Sequence, residues 1–173
     1  MPSLLFVLFF VIIGTLAWGS ILAAPWVPTL SAQRKLLVDN LVIHPESTIY
    51  DLGCGSGSIL FEFANRYPSA KCIGYDVALF PLFLGLIIKL RHPKRYKNVS
   101  LRFGNFFNKH FKEADVIVAF LMKKAYPKFI TTLQREARSE AIIAIEAWPL
   151  PDKTPIQVIQ GKELLSWYVY RNL

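Results

Sequence analysis

The pattern of apolar and polar positions divides the chain into two parts. The stretch from Leu4 to Ala24 is apolar and carries no charged residue, and the first charge in the chain is Arg34. About 20 apolar residues are enough for a helix that crosses a bilayer. The pattern therefore predicts a transmembrane anchor over residues 1–25 and one folded domain over residues 26–173.

Within the predicted domain, helix-like segments alternate with short apolar segments rich in β-branched residues. This alternation is typical of an α/β fold in which helices cover a mainly parallel sheet. The breaker-rich loop "WPLPDKTP" at 148–155 then sets off a final antiparallel pair of strands. We predict helices over 30–43, 57–67, 78–91 and 124–137, and strands over 47–52, 70–76, 99–103, 114–120, 140–146, 156–160 and 164–170.

The apolar N-terminal stretch has a second interpretation, a cleaved secretory signal ending at "LAA" before Pro25. An uncleaved anchor fits better, because the stretch exceeds the usual apolar core of a signal and lacks a basic leader. All 20 Lys and Arg residues follow the stretch, so the positive-inside rule predicts a single-pass protein with its domain on the cytoplasmic side. Two cysteines, Cys54 and Cys72, suit a reducing compartment and predict neither a disulfide framework nor a zinc site.

Charge and hydropathy indicate a further contact. The net charge is +8 and the mean hydropathy +0.35, and the apolar run Val77–Ile88 has no polar stripe. That run is either a deeply covered core helix or a membrane contact. The residues that follow it favour anionic lipid headgroups as a partner, whereas nucleic acid is less consistent with a membrane tether. These basic residues are Lys89, Arg91, Lys94, Arg95 and Lys97.

The sequence "YDLGCGSGSI" at 50–59 stands between a predicted strand and a predicted helix. Glycines in such a turn let the backbone approach a ligand at the N-terminus of the helix. The spacing of Gly53, Gly55 and Gly57 differs from the GxGxxG fingerprint of dinucleotide sites, and Asp51 would repel a pyrophosphate. A carboxylate there instead favours a ligand with sulfonium and ammonium groups, such as S-adenosylmethionine.

Three later residues support the same ligand. Asp76 ends the second strand, near the spacing at which an acid accepts hydrogen bonds from ribose hydroxyls. Asn105 has an amide that can pair with an adenine edge, and the ring of Phe106 can stack on the base. Each residue also has a structural interpretation, as a turn or core residue, but the ordered set is more specific than its members.

The chain thus resembles the class I S-adenosylmethionine-dependent methyltransferases, in which "DLGCGSG" is a typical first motif. The resemblance covers residues 30–173 and implies a Rossmann-like sheet of seven strands with the last one antiparallel. The position of Asn105 is often Asp in that family, so the chain departs from the family pattern there. The predicted cofactor-binding residues are Asp51, Gly53, Cys54, Gly55, Gly57, Asp76, Asn105 and Phe106.

A narrower resemblance rests on the apolar helix followed by "PWVPT" at 25–29. This layout is similar to the small membrane-anchored protein-lysine methyltransferases of the ATP synthase c subunit and the adenine nucleotide translocase. It implies lysine in a membrane or membrane-associated protein as the substrate. Two alternatives stay open, a methyltransferase for a small molecule or lipid such as a quinone precursor or phospholipid headgroup, and a non-catalytic cofactor-binding module.

No general base stands out in the sequence, so the catalytic residues are not assigned. His44, His92 and His110 are widely separated and need no special role, and no metal-ligand spacing is present. Trp26 is otherwise an interfacial anchor and Trp148 otherwise a packed loop residue. The candidates for the substrate mouth are Trp26, Thr29, Phe120 and Trp148.

Overall fold

The computed structural model describes residues 3–171 and 173 of the chain. The helices are α1 (Leu4–Leu22), α2 (Ser31–Asn40), α3 (Ser58–Arg66), α4 (Leu79–Arg91) and α5 (Tyr126–Glu136). The strands are β1 (Thr48–Leu52), β2 (Lys71–Asp76), β3 (Val99–Phe103), β4 (Val116–Ala119), β5 (Ile142–Glu146), β6 (Gln157–Ile159) and β7 (Trp167–Tyr170).

The strands form one seven-stranded sheet in the order β3-β2-β1-β4-β5-β7-β6. Strands β1 to β5 pair in parallel, and β7 runs antiparallel to both β5 and β6. The predicted fold class is therefore confirmed. The strand order reverses between β1 and β4, and ligands of open parallel sheets bind at such a reversal, outside the carboxyl ends of the strands.

Each face of the sheet has its own apolar core. On one face, α2 and α3 cover the sheet through residues such as Leu37 and Phe63, both fully buried. On the other face, α5 packs through Phe129 and Leu133 against Ile117. Two covered faces explain why the central strands are apolar along their whole length instead of alternating.

Helix α1 is long and apolar enough to cross a membrane by length and composition, and none of its residues is buried. Its second half contacts the domain beside the start of α4. The Thr15 hydroxyl accepts a hydrogen bond from the backbone N–H of Leu79 at 3.3 Å, and Gly19 lies against Val77. The end of this helix is therefore part of the folded domain.

Helix α4 is apolar on two faces, only one of which is covered. Leu82 and Gly85 are buried against the domain, whereas Phe83 is 59% and Leu90 76% exposed. The fully covered core helix considered from the sequence is therefore wrong for this segment. Contact of its exposed face with a bilayer stays a prediction.

The bounds of other elements differ from the prediction for local reasons. Helix α2 ends at Asn40 instead of residue 43, since Leu41 adopts an extended conformation that leads toward β1. The predicted helix at 124–137 begins with a 3-10 turn, Lys123–Ala125, and becomes α-helical at Tyr126, where Pro127 occupies the first turn. Strand β7 starts at Trp167, three residues into the predicted range.

Candidate functional site

A cleft lies at the carboxyl ends of β1, β2 and β4, between the glycine loop and the segment that follows α1. It measures about 850 Å³ including its open mouth. All eight predicted cofactor residues except Gly57 line it, as do three of the four predicted mouth residues. Residues distant in the sequence thus meet in one place, at the reversal point of the sheet.

The glycine loop is held by backbone hydrogen bonds to β2. The N–H groups of Gly53 and Cys54 donate to the carbonyl oxygen of Tyr75, at 2.9 and 3.1 Å. Gly57 has a φ of 75° and caps the N-terminus of α3, a conformation that favours glycine. The unpaired N–H groups of the first turn of α3 accordingly face the region of the cleft.

Gly55 shows why a side chain is excluded from the loop. A Cβ atom at this position would lie 2.7 Å from Nε1 of Trp26. The Trp26 indole therefore rests directly on the glycine loop, with its other edge near the ring of Phe80 at a centroid distance of 6.0 Å. Trp26 closes one side of the cleft, a role closer to the predicted substrate mouth than to an interfacial anchor.

Asp76 lines the cleft and also braces the loop. Its Oδ2 accepts a hydrogen bond from the Gly55 N–H at 2.7 Å, and its Oδ1 accepts one from the Ala78 N–H at 2.8 Å. Each carboxylate oxygen retains a second lone pair for ligand hydroxyls. The bracing contact could not be inferred from the sequence, because it depends on how the loop folds back over β2.

The cleft carries an unusual concentration of buried acid. Burial, and secondarily Asp76 and Glu146, raise the pKa of the Asp51 carboxyl well above its ordinary value. Burial also raises the pKa of Asp76, against the opposing effect of its backbone hydrogen bonds. Burial raises the pKa of Glu146 to about 7, with the Thr29 hydroxyl acting in the opposite direction. A ligand with positive charge would relieve this repulsion, so the cleft fits S-adenosylmethionine.

Glu146 was not predicted as a site residue. It ends the apolar strand β5, where a sequence analysis finds no motif, and it is only 1% exposed. Its Oε2 accepts a hydrogen bond from the Thr29 hydroxyl at 3.1 Å. The next residue, Ala147, has a φ of 75°, which is strained for a residue with a side chain. A buried acid followed by a strained residue at a strand end is a signal that only the structure provides.

Asn105 and Phe106 form the far wall of the cleft. The Asn105 Oδ1 accepts a hydrogen bond from the Phe107 N–H at 3.0 Å, which leaves its NH2 group available to a ligand. Phe106 is 5% exposed and packs on Phe107 with ring centroids 4.2 Å apart. The geometry is compatible with an adenine edge at Asn105 and with apolar contact from Phe106.

Two close approaches behind the loop were missed by the sequence analysis. A Cβ atom at Gly85 in α4 would lie 2.4 Å from the carbonyl oxygen of Ser56. A Cβ atom at Gly74 in β2 would lie 2.6 Å from the Cys54 sulfur. Cys54 is thus a packed wall residue, and burial raises the pKa of its thiol well above the ordinary value, which argues against a nucleophilic role.

Phe120 lines the cleft mouth, but Trp148 does not. The Trp148 ring lies outside Phe120, with centroids 6.2 Å apart, and is partly exposed. Its backbone carbonyl accepts a hydrogen bond from the Tyr126 hydroxyl at 2.8 Å. Trp148 therefore packs behind Phe120 and does not itself line the cleft.

The end of α1 builds part of the cleft wall, through Leu16, Gly19 and Leu22. Two hydrogen bonds fix it there: the Ala23 carbonyl accepts from the Met122 N–H at 3.2 Å, and the Lys124 Nζ donates to the Ser20 carbonyl at 2.8 Å. The apolar N-terminal helix and the cleft are thus a single structural unit.

The histidines lie away from the cleft lining. His110 pairs with Glu136 of α5 at 2.8 Å, on a separate open groove. Among residues 3–171 and 173, no group of three or more His, Cys, Asp or Glu side chains is placed to hold a metal ion.

Comparisons with known proteins indicate a methyltransferase. Residues 51–157 match the ANTKMT methyltransferase domain family. A protein-lysine N-methyltransferase of Saccharolobus islandicus (strain REY15A) is 23% identical over 139 residues, which cover 80% of this chain and 86% of the relative.

Solved structures share the fold. The RNA methyltransferase from Salinibacter ruber in complex with S-adenosyl-L-homocysteine superposes with a TM-score of 0.77 at 18% identity, covering 84% of this chain and 94% of that one. PKMT2 from Rickettsia typhi in complex with AdoHcy superposes with a TM-score of 0.55 at 20% identity, covering 73% of this chain and 28% of that one.

Proposed function

We propose that this chain methylates a lysine amine of a protein in or beside a membrane. It belongs to the ANTKMT methyltransferase domain family and is an S-adenosylmethionine-dependent methyltransferase. The observation that carries this proposal is that the end of the membrane-length helix α1 forms part of the cleft wall. A cleft built in this way opens next to the bilayer, so its substrate has to reach the membrane surface.

We assign the cofactor to the glycine loop and its neighbours. Asp51 and Asp76 supply negative charge for the ammonium group and acceptors for the ribose hydroxyls. The loop over Gly53–Gly57 supplies close backbone approach, and Asn105 with Phe106 receives the adenine. Cys54 fills the wall behind the loop. These roles follow from the lining of one cleft and from the positions of the acids in it.

When bound, S-adenosylmethionine would supply an activated methyl group for a neutral amine: the lysine ammonium loses its proton to solvent before the transfer, and the electrons of the S–C bond stay with sulfur. The protein has to align the amine and to favour its neutral form, since a free lysine has a pKa of about 10.4. Desolvation in the aromatic mouth formed by Trp26 and Phe120 works in that direction. The mouth also excludes water from the reacting atoms.

A protein substrate is favoured over a small molecule or lipid by two observations. The Saccharolobus islandicus relative that spans most of this chain is named a protein-lysine N-methyltransferase. The cleft mouth is also open and rimmed by aromatic side chains, which suits a side chain presented by a larger partner. The intact glycine loop and acids argue against a non-catalytic module.

An anchor formed by α1 would hold the domain close against the membrane. At about 1.5 Å per residue, the part of α1 before Thr15 extends about 16 Å beyond the hydrogen bond between Thr15 and α4. The hydrocarbon core is about 30 Å thick. If α1 crosses the bilayer, the start of α4 must therefore lie at the level of the lipid and not in bulk water.

The uncovered face of α4 suits that position. Leu79, Phe83 and Leu86 are exposed on it although it directly adjoins α1. The basic residues at its C-terminal end and in the following loop provide the matching attraction to anionic headgroups, about 1 kcal/mol for each residue near the surface. They are Lys89, Arg91, Lys94, Arg95 and Lys97.

The substrate class is tested with radiolabelled methyl donor and isolated membranes. The full chain should place label in protease-sensitive protein, and mass spectrometry should find it on lysine. Gly53→Arg, which cannot adopt the positive φ of the loop without strain, should give no label. Label that extracts wholly with lipid, or that resides in RNA, would overturn the lysine proposal.

The membrane contact is tested on the full chain reconstituted in vesicles. A polarity-sensitive dye on Phe83→Cys should report an apolar environment when anionic lipid is present, and a triple charge reversal at Lys94, Arg95 and Lys97 should reduce that signal. Dye on Val42→Cys is the control, because Val42 is 89% exposed and lies between α2 and the amino end of β1. Equal signals at both positions would contradict the contact. Protease protection of the domain in intact cells tests the predicted cytoplasmic orientation.

A further inference from the structure

The inference concerns the pair formed by Thr29 and Glu146, and it rests on the proposed lysine substrate. Thr29 lines the cleft beside Phe120, whereas Glu146 lies behind it, out of contact with the cleft. The direct contact by which Glu146 can influence a substrate in the cleft is the 3.1 Å hydrogen bond that it accepts from the Thr29 hydroxyl.

Thr29 is held on two sides. The guanidinium of Arg34 donates a hydrogen bond to its backbone carbonyl, and Glu146 fixes its side chain. Arg34 belongs to α2, whose neighbouring residue Gln33 has its carbonyl bonded by the Trp167 indole N–H at 3.1 Å. The hydroxyl of Thr29 thus has a defined position in the wall of the cleft.

We propose that Glu146 is a positioning residue that points the hydroxyl hydrogen of Thr29 away from the cleft, so that the Thr29 oxygen accepts an N–H of the substrate amine. A hydroxyl has one donor and two acceptor lone pairs. With its hydrogen committed to the Glu146 carboxylate, Oγ1 presents only acceptor character to the cleft. An amine bound there is aligned by its N–H and keeps its lone pair free for the methyl group.

Protonation of Glu146 reverses this polarity. A protonated Glu146 can donate to Oγ1 of Thr29, and the Thr29 hydrogen is then free to point into the cleft, where it opposes an N–H. Burial raises the pKa of Glu146 to about 7, so the reversal falls within the physiological range. The charged groups around the pair are Asp51, whose pKa Glu146 helps to raise, and Arg34, which contacts the Thr29 carbonyl.

The experiment compares wild type, Thr29→Val, Thr29→Ser and Glu146→Gln as full chains in anionic vesicles, with isolated membranes as the substrate and methyl-lysine as the readout. Thr29→Val should lower kcat/KM for the membrane substrate at least tenfold while leaving the Kd for S-adenosylhomocysteine unchanged. Thr29→Ser, which keeps the hydroxyl, should retain the activity that Thr29→Val loses. Thr132→Val is the matched control, because Thr132 is also buried but bonds only within α5.

The pH profile separates positioning from a merely structural role. Wild type should lose activity below a break near pH 7 in addition to the slope caused by protonation of the amine, and Glu146→Gln should lack that break. Persistence of the break in Glu146→Gln, or full activity of Thr29→Val, would overturn the inference. If Thr29→Val and Glu146→Gln both lost affinity for S-adenosylhomocysteine to the same extent, the pair would have a structural role and the inference would be overturned.

Failure of the proposed function gives a different result. If wild type forms no methyl-lysine at any pH but still binds S-adenosylhomocysteine, the lysine substrate is wrong, and this inference fails with it. If wild type is active and the variants match it, only the role of the Thr29–Glu146 pair is wrong.

Discussion

Replacement of Glu146 by Gln should stabilise the protein above pH 7. The carboxyl of Glu146 is 1% exposed, and burial raises its pKa from 4.5 to about 7. Below pH 4.5 the group is protonated in both the folded and the unfolded chain, so the substitution has little effect there. Between pH 4.5 and 7 the unfolded chain releases the proton that the folded chain keeps, and the stability of wild type falls as the pH rises.

The size of the effect follows from the raised pKa. One unit corresponds to about 1.4 kcal/mol, so a change from 4.5 to about 7 corresponds to a penalty of about 3 kcal/mol above pH 7. Gln keeps an oxygen that can accept the Thr29 hydrogen bond but has no charge to bury. For a chain of this size, 1 kcal/mol shifts Tm by about 2–4 °C, which gives an increase of about 6–12 °C at pH 8.

The measurement is thermal unfolding of the full chain in mild detergent without cofactor, at pH 5 and pH 8. The difference in Tm between Glu146→Gln and wild type should be small at pH 5 and large and positive at pH 8. Glu46→Gln, which removes an exposed carboxylate, controls for the change in net charge. A variant that is less stable than wild type at pH 8 would refute the reasoning, since it would show that the Glu146 charge stabilises the fold.

Other substitutions test the site and its packing. Gly85→Ala should lower cofactor affinity at least tenfold in calorimetry, because its Cβ would lie 2.4 Å from the Ser56 carbonyl, whereas Gly14→Ala, with nothing within 4 Å, should leave affinity unchanged. Asp51→Asn should abolish binding of S-adenosylmethionine while raising the Tm of the unliganded protein at pH 8, because burial and neighbouring acids disfavour the Asp51 charge. Buried Cys54 and Cys72, whose thiol pKa values are raised by burial, should resist alkylation at pH 8 until the protein is unfolded, as read by mass spectrometry.

Much of the fold follows from local patterns in the sequence. Apolar runs bounded by breakers fix the strands, and "DLGCGSG" fixes the turn that joins β1 to α3. The loop between β6 and β7 is less regular, and the strand at 164–170 begins three residues late because a turn at residues 162–163 is followed by irregular backbone up to Ser166, before the pairing with β5. The start of β7 is set by its pairing with β5, and the local composition of the sequence does not indicate where that pairing begins.

Most of the residues predicted for the cofactor and for the substrate mouth line one cleft, and their roles stay predictions, whereas Glu146 and Gly85 behind the cleft were not predicted. Asp51 and Asp76 stand in a recognisable order around glycines, so spacing alone locates them. Glu146 and Gly85 lie in apolar segments without a motif, and they come to lie behind the cleft because the parallel strands end at one edge and α4 packs on the glycine loop. Contacts between segments that are distant in the sequence produce no motif in either segment.

Three acids lie in or directly behind one cleft, Asp51 and Glu146 buried and Asp76 half-buried, and they favour a compensating positive charge. Asp51, Asp76 and Glu146 each have a raised pKa, so in the absence of ligand they hold protons more readily than exposed carboxyls do. A ligand that carries a sulfonium favours their ionised forms, and a product with a neutral thioether favours them less. Methyl transfer therefore weakens the attraction between the cleft and what remains in it. The carboxylates to which we assign the charged cofactor would thus also favour the exchange of spent cofactor for fresh cofactor.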